Sequence, residues 1–349
     1  MKAKKRVGIL TGGGDCPGLN AAIRATAKTA FKIGYEVIGI RDGWEGLIED
    51  RSEILDSSNT AGIIDRGGTI LGASRTSPFR IDNGPQRVFD GFKKLGLEAL
   101  VVLGGEGTLA VTSQLFKMGL PVVGIAKTID NDVRETNFTI GFQTAVQIAT
   151  DALDRLRSTA ASHHRVMLLE VMGRYTGWIA TFAGIASGAE AILIPEIPLN
   201  KERIEKLCRM LEKRNERGKN FSLIVVAEGT QLEWKAILKP SLHIARNEGP
   251  DRLGGIGRVI GELIAGKTGL DTRVSSLDYI QRGGTPVAYD RSLATAFGVK
   301  AVELVKEKKY GEMVALKGNR ITSTLLEKVE GGIKVVNPSA YKIAEIFFS

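Results

Sequence analysis

An α/β fold of mostly parallel sheets, covered by helices on both faces in three α/β/α layers, is what this 349-residue sequence predicts. Three observations predict it. Short apolar runs alternate with amphipathic segments from one end to the other. Glycine-rich turns stand where an apolar run passes into a helix. A turn carrying two carboxylates and a lysine, Ala126-Lys127-Thr128-Ile129-Asp130-Asn131-Asp132, follows the apolar run Pro121–Ile125, and open α/β sheets bind ligands at such strand ends.

The elements follow in order. Val7–Leu10 reads as a strand, Asn20–Ile33 as a helix stopped by Gly34, and Val37–Ile40 as the next strand. Val88, Phe89, Phe92 and Leu95 share a helix face before the strand Ala99–Leu103. A helix over Thr108–Met118 leads to the Pro121 strand. A long helix then carries Phe142, Val146, Ala149, Leu153 and Leu156 on one side. Strands at Val166–Val171, Ala191–Ile194 and Leu223–Ala227 alternate with helices over Tyr175–Ala186 and Lys201–Arg217. Such alternation predicts sheets buried on both faces. With no repeat and no linker-like tract, any domains must share a tight boundary.

Length allows two or three domains with full cores. Hydrophobic residues at 43% and charged residues at 25% are ordinary for a soluble globular chain. No run approaches the ~18 apolar residues of a membrane helix, and Val7–Thr11 is too short for the apolar region of a signal peptide. Cys16 and Cys208 lack C-x-x-C spacing, which points to a reduced, cytoplasmic setting. His163, His164 and His243 form no metal-ligand pattern. The net charge of +9 is dispersed, and its densest cluster, Lys201–Lys219, alternates with Glu as a solvated helix face does. Arg residues at strand ends suit an anionic small substrate better than nucleic acid.

Gly12-Gly13-Gly14-Asp15-Cys16-Pro17-Gly18 lies between the first strand and its helix. Glycines there let backbone N–H groups approach phosphate, although tight turns also use glycine for geometry alone. A second turn, Gly104-Gly105-Glu106-Gly107-Thr108, opens a helix and adds a carboxylate suited to Mg²⁺, directly or through water. In the Asp130 turn one carboxylate has the chemistry to take a proton from an alcohol. Taken alone, that stretch also fits an Asx-rich surface turn. Three such loops on one sheet edge make coincidence a poor account.

Gly261–Thr268 matches the P-loop pattern G-x-x-x-x-G-K-[ST] literally. Ile256, Val259, Ile260, Leu263 and Ile264 repeat at helical spacing there, so the match lies in a helix and Gly266 reads as its C-terminal residue. Further strand ends carry Met172-Gly173-Arg174, Ala227-Glu228-Gly229-Thr230, Asp271-Thr272-Arg273 and Tyr279-Ile280-Gln281-Arg282-Gly283-Gly284. Their guanidinium groups suit phosphate.

These motifs in this order resemble the bacterial-type 6-phosphofructokinases from Arg6 through Arg291. Ser162-His163-His164-Arg165 and Arg66-Gly67-Gly68-Thr69 to Arg75 belong to the same set. The resemblance implies two similar domains of the phosphofructokinase fold. A nucleotide-binding domain would take 1–141 plus about 281–325, and a sugar-phosphate-binding domain 142–280 plus about 326–349. It further implies transfer of a phosphoryl group from ATP, with Mg²⁺, to fructose 6-phosphate. Asp130 would be the general base, Asp132 and Thr128 would position the reacting groups, and Arg174 and Arg75 would stabilise the transferring group. Nucleotide contacts would come from Gly13, Arg75, Gly104, Gly105, Glu106, Gly107 and Thr108, with Glu106 on the metal. Thr128, Asp130, Met172, Gly173, Arg174, Glu228, Tyr279 and Arg282 would meet the sugar phosphate, and Tyr279 stands where many relatives carry His. Arg165 and Arg273 would reach the substrate of a neighbouring subunit, implying a homo-oligomer, most simply a tetramer. Arg24 and Arg157 match basic positions of the family's effector site, whereas Ser57 replaces a common basic one.

The phosphoryl donor is marked by two positions. In pyrophosphate-dependent members the residues matching Gly107 and Lys127 are typically Asp and Lys, and in many ATP-dependent members both are Gly. This chain combines Gly107 with Lys127, which favours ATP because an Asp at 107 would crowd the nucleotide's α-phosphate; a flexible Lys127 could pair with phosphate or swing aside. Pyrophosphate is the alternative donor. A sugar-phosphate sensor without catalysis would be expected to lack Asp130, Arg174 or Arg282. NAD and lipid kinases share only the G-G-[DE]-G-T turn, and a dehydrogenase would need the dinucleotide fingerprint.

Overall fold

In a computed structural model, residues 4–233 and 253–348 are described. His243 lies outside them. The strands are β1 (Arg6–Thr11), β2 (Glu36–Ile40), β3 (Ser52–Leu55), β4 (Leu97–Gly104), β5 (Val122–Ala126), β6 (Val166–Val171), β7 (Ala191–Leu193), β8 (Ser222–Ala227), β9 (Thr272–Ser276), β10 (Glu312–Lys317) and β11 (Arg320–Leu325). The helices are α1 (Leu19–Lys32), α2 (Trp44–Ile48), α3 (Gly84–Lys94), α4 (Glu106–Lys117), α5 (Phe142–His163), α6 (Trp178–Ser187), α7 (Lys201–Glu216), α8 (Ile256–Thr268), α9 (Ala288–Lys306) and α10 (Pro338–Glu345).

The chain forms two compact units, Met1–Thr144 with Arg282–Lys334, and Ala145–Gln281 with Val335–Ser349. The sequence placed the divisions near 141, 281 and 325. The last one comes later, because β10 and β11 pair as a hairpin on the first sheet and the segment after them hydrogen-bonds back to the β5 turn.

The first unit holds a seven-stranded sheet ordered β11-β10-β5-β4-β1-β2-β3, with β3 and β11 antiparallel at its edges. Every residue of β5 and all of β4 except Glu98 are buried. Helices must therefore cover both faces, as a parallel sheet of Val and Leu requires. Strand order reverses between β1 and β4: the chain leaves β1 toward β2, but leaves β4 toward β5 on the other side. Ligands of open α/β sheets bind outside the carboxyl ends at such a reversal. Thr11 lies level with Leu103, and Gly104 with Ala126, so the three loops begin side by side.

The second unit has a four-stranded, all-parallel sheet ordered β7-β8-β6-β9. Its core joins Leu168, Ile224 and Val226 of the strands to Ile204, Leu207 and Leu211 of α7 and Val259, Ile260 and Ile264 of α8. Helix α7 buries that apolar stripe and keeps its Lys and Glu outward, as its sequence predicts.

Two local expectations change. Helix α8 runs through Gly266 to Thr268 and is capped by Gly269 in the left-handed region, φ 70°. Gly266 has open space around its Cβ position and stays helical, so the glycine three residues on ends the helix. Helix α6 begins at Trp178 rather than Tyr175, because Gly173 and Arg174 both have positive φ and form a turn first. No helix among the described residues is long and apolar enough to cross a membrane.

Candidate active site

The two glycine turns of the first unit interlock. A Cβ on Gly12 would lie 2.7 Å from Thr108 Cγ2, and one on Gly104 2.5 Å from Thr108 Cβ. Only glycine lets the ends of β1 and β4 close around that threonine. Gly13, at φ 79°, donates its N–H to the Ser74 carbonyl at 2.8 Å. Gly13, Gly14, Asp15, Thr69, Ala73 and Arg75 line a cavity of about 410 Å³.

Arg75 is framed by a carboxylate the sequence did not single out. Glu45 Oε2 accepts from Ser74 Oγ at 2.9 Å and Thr76 Oγ1 at 2.7 Å, while its Oε1 accepts from Arg51 at 2.6 Å. Hydrogen bonds from Thr76, Ser74 and Arg51, in that order, hold the Glu45 carboxyl below its ordinary range. The residues on both sides of Arg75 are thereby pinned to α2.

Gly105, Glu106 and Gly107 open α4, with Glu106 in its first turn, and Gly107 has nothing within 4 Å of its Cβ position. The Gly105 Cβ position lies 3.6 Å from Thr128 Cβ, so this turn abuts the β5 turn. Among the described residues no group of three or more His, Cys, Asp or Glu side chains forms a metal cage. Mg²⁺ is ordinarily held by one or two carboxylates together with substrate phosphates, and Glu106, beside glycine turns with open backbone, fits that requirement.

Lys127 departs from its expected freedom. It is 1% exposed, and its Nζ donates to the Gly14 carbonyl at 2.5 Å. Burial pushes its pKa down. It is a fixed strut beneath the first glycine loop. The neighbouring Cys16 thiol is buried, its pKa is pushed up to about 12 by that burial, and it donates to the Ile140 carbonyl at 3.3 Å.

Asp130 is 4% exposed. Thr128 Oγ1 donates to its Oδ2 at 3.3 Å and accepts its backbone N–H at 3.2 Å, so the threonine sets the carboxylate's direction. Asn131 takes φ 52°, and its Oδ1 accepts from the Thr139 N–H at 3.1 Å. Lys334, from the far end of the unit, donates its N–H to the Asp132 carbonyl at 2.7 Å. Arg282 also belongs to this unit. Its NH1 donates to the Asp15 carbonyl at 3.3 Å and lies 2.4 Å from the Gly14 Cβ position.

In the second unit Met172, Gly173 and Arg174 follow β6. The Met172 N–H donates to Gln281 Oε1 at 2.7 Å. Glu228, just after β8, accepts at one oxygen from Gly173 N–H at 3.3 Å and Arg174 N–H at 3.0 Å. Arg174 has φ 52°. Glu170, nearer the strand interior, accepts from Gly255 and Gly257 N–H at 2.7 and 2.6 Å and so caps α8. Arg165 and Arg273 converge on Asp271, at 2.7 and 2.8 Å. The Arg165 hydrogen bond is the first cause of the lowered Asp271 pKa. Tyr279 is 64% exposed, and the Arg157 guanidinium donates to the Ser187 carbonyl.

Glu45, Asp271 and Lys334 hold candidate site residues or their neighbours, and sequence reasoning did not single them out. Asp271 carried a faint signal, standing two residues from Arg273. Glu45 and Lys334 carried none, since their partners are about 30 and 200 residues away.

A family model described as Phosphofructokinase matches residues 6–305. The chain is 45% identical to the pyrophosphate--fructose 6-phosphate 1-phosphotransferase of Dictyoglomus thermophilum, over 99% of both chains. It is 47% identical to the ATP-dependent 6-phosphofructokinase of Chloroflexus aggregans, over 96% of this chain and 94% of that one. The phosphofructokinase of Pichia pastoris, solved in the T-state, superposes with a TM-score of 0.84 at 30% identity, covering 100% of this chain and 37% of that chain.

Proposed function

The chain belongs to the phosphofructokinase family, and from that premise we propose that it uses ATP and Mg²⁺ to convert fructose 6-phosphate to fructose 1,6-bisphosphate in glycolysis. The observation that carries the chemistry is the Thr128–Asp132 turn: a near-buried carboxylate at the end of a central strand, aligned by Thr128 and flanked by two glycine turns. Asp130 takes the proton from the 1-hydroxyl as that oxygen bonds to the donor's terminal phosphorus and the bond from that phosphorus to the bridging oxygen breaks, releasing ADP. Thr128 and Asp132 position the reacting groups. Arg75 and Arg174 stabilise charge on the transferring group, where positioning and charge stabilisation supply most of the rate.

Gly13, Gly104, Gly105, Gly107 and Thr108 meet the donor with backbone and hydroxyl groups. Glu106 would hold Mg²⁺, which when bound neutralises charge on the phosphate oxygens. Met172, Gly173, Glu228, Tyr279 and Arg282 recognise the sugar phosphate.

Gly107 supports ATP as the donor, since nothing lies within 4 Å of its Cβ position, where an Asp would crowd the nucleotide's α-phosphate. Lys127 does not oppose ATP, because its ammonium is engaged with the Gly14 carbonyl. Pyrophosphate remains the second reading, favoured by Lys127 itself and by comparably similar relatives of that name. Gly107→Asp should depress turnover with ATP at least about tenfold more than turnover with pyrophosphate, the size of one unfavourable charge contact. A wild type that uses pyrophosphate and not ATP would overturn the donor and leave the family standing.

The guanidinium groups of Arg165, half-buried, and Arg273, exposed, held together by Asp271, support a homo-oligomer, a tetramer, in which they complete a neighbouring subunit's site. Mixing Arg273→Ala with Asp130→Asn subunits should then restore part of the activity. A fully active monomer would exclude it. A cytoplasmic setting accords with two buried free thiols.

A further inference from the structure

Lys334 closes the β5 turn from behind. Its Nζ donates to Asn131 Oδ1 at 3.0 Å, to the Thr136 carbonyl at 2.9 Å and to the Asn137 carbonyl at 2.9 Å. Its backbone N–H donates to the Asp132 carbonyl at 2.7 Å. One residue thus grips Asn131 and Asp132 at one end of the loop and Thr136 and Asn137 at the other.

Asn131 is the residue that needs gripping. It is fully buried between Asp130 and Asp132 and takes a left-handed φ of 52°. Asparagine tolerates that region better than other non-glycine residues, and hydrogen bonds from its surroundings fix it there. The Asn131 side chain provides that hold through Thr139 on one side and Lys334 on the other. An ammonium has three N–H donors and so can serve all of these acceptors, and no neutral side chain of that length offers three. Burial pushes the Lys334 pKa down to about 8, opposed by the charge of Asp132. The cation is therefore kept at a cost, as a group held for its hydrogen bonds would be.

We propose that Lys334 is a positioning residue for phosphoryl transfer: it fixes the backbone of the Asp130–Asp132 turn and through it the direction of the Asp130 carboxylate. This assignment rests on Asp130 being the base. Misplacing a reacting group by about 1 Å can cost on the order of a hundredfold in rate, while substrate affinity set elsewhere is spared.

The test is Lys334→Met in the full-length protein, with kcat, both KM values, thermal unfolding and amide hydrogen exchange over residues 128–139. Expected are faster exchange in that segment, a kcat reduced about ten- to hundredfold, and KM values within about twofold of wild type. A wild-type kcat would overturn the proposal, and so would a reduced kcat with unchanged exchange in the turn. If the methionine variant does not fold, Lys334→Gln, which keeps a shorter neutral donor, is read by the same measurements. Asp130→Asn separates the two assignments: near-normal turnover in it refutes the base, whereas an inactive Asp130→Asn beside a fully active Lys334→Met refutes the positioning role alone.

Discussion

The turn after β5 in the first unit and the turn after β6 in the second are built alike and charged oppositely. Each follows a buried parallel strand, and each contains a non-glycine residue at φ 52°, Asn131 in one and Arg174 in the other. Each is backed by an ion from a distant part of its own unit. Between the carboxylates Asp130 and Asp132 the ammonium of Lys334 holds Asn131, and in the turn that carries the guanidinium of Arg174 the carboxylate of Glu228 holds the Gly173 and Arg174 N–H groups. The backing ion has the sign opposite to the group that the turn presents. A turn with a residue in the left-handed region needs hydrogen bonds to hold its backbone, and an ionised side chain makes stronger ones than a neutral group does.

That pairing can be broken from either side. On substrate affinity the larger expected effect is at Glu228. Glu228→Ala removes a charged acceptor from the Gly173 and Arg174 N–H groups, an interaction worth about 1.5–3 kcal/mol. The KM for fructose 6-phosphate should rise about tenfold or more, and Glu228→Gln, which keeps a neutral acceptor, should do less. Equal KM values in wild type and Glu228→Ala would show that the turn stands without its backing ion. At Lys334, beside the loss of turnover, a smaller effect lies in stability. Its folded pKa of about 8 is below the roughly 10.4 of an unfolded lysine. Between those values the unfolded chain binds more protons, so stability should rise with pH through about 8 to 10. Below that window the cost of burying the cation is present in full. Denaturant titrations of wild type and Lys334→Met across the window should differ in slope, with the wild type steeper upward. Parallel slopes would mean that the lysine is not desolvated in the fold.

What the sequence made legible was whatever is local. Strand β6 occupies the predicted Val166–Val171, and the glycine and Asp130 turns stand at the ends of β1, β4 and β5 as their motifs require. The P-loop match was rightly set aside, because its residues lie inside α8. Its end was misjudged by three residues, since glycine alone does not say whether φ will be positive there. Lys127 was legible as a residue and not as a strut: its partner is the Gly14 carbonyl, a backbone group 113 positions away. Glu45 and Lys334 show the same limit, since a side chain that positions a loop through partners far along the chain leaves no periodicity and no spacing to read. Only the fold brings the two together.

The most direct measurement is steady-state turnover of Asp130→Asn with fructose 6-phosphate, Mg²⁺ and ATP beside the wild type. The amide keeps the shape of the carboxylate and its contact with Thr128, and cannot take the proton. A kcat at least about a hundredfold lower, with KM values little changed, is the predicted result. A near-normal kcat would contradict the assignment of Asp130 as the base, and with it the account of the turn that Lys334 holds.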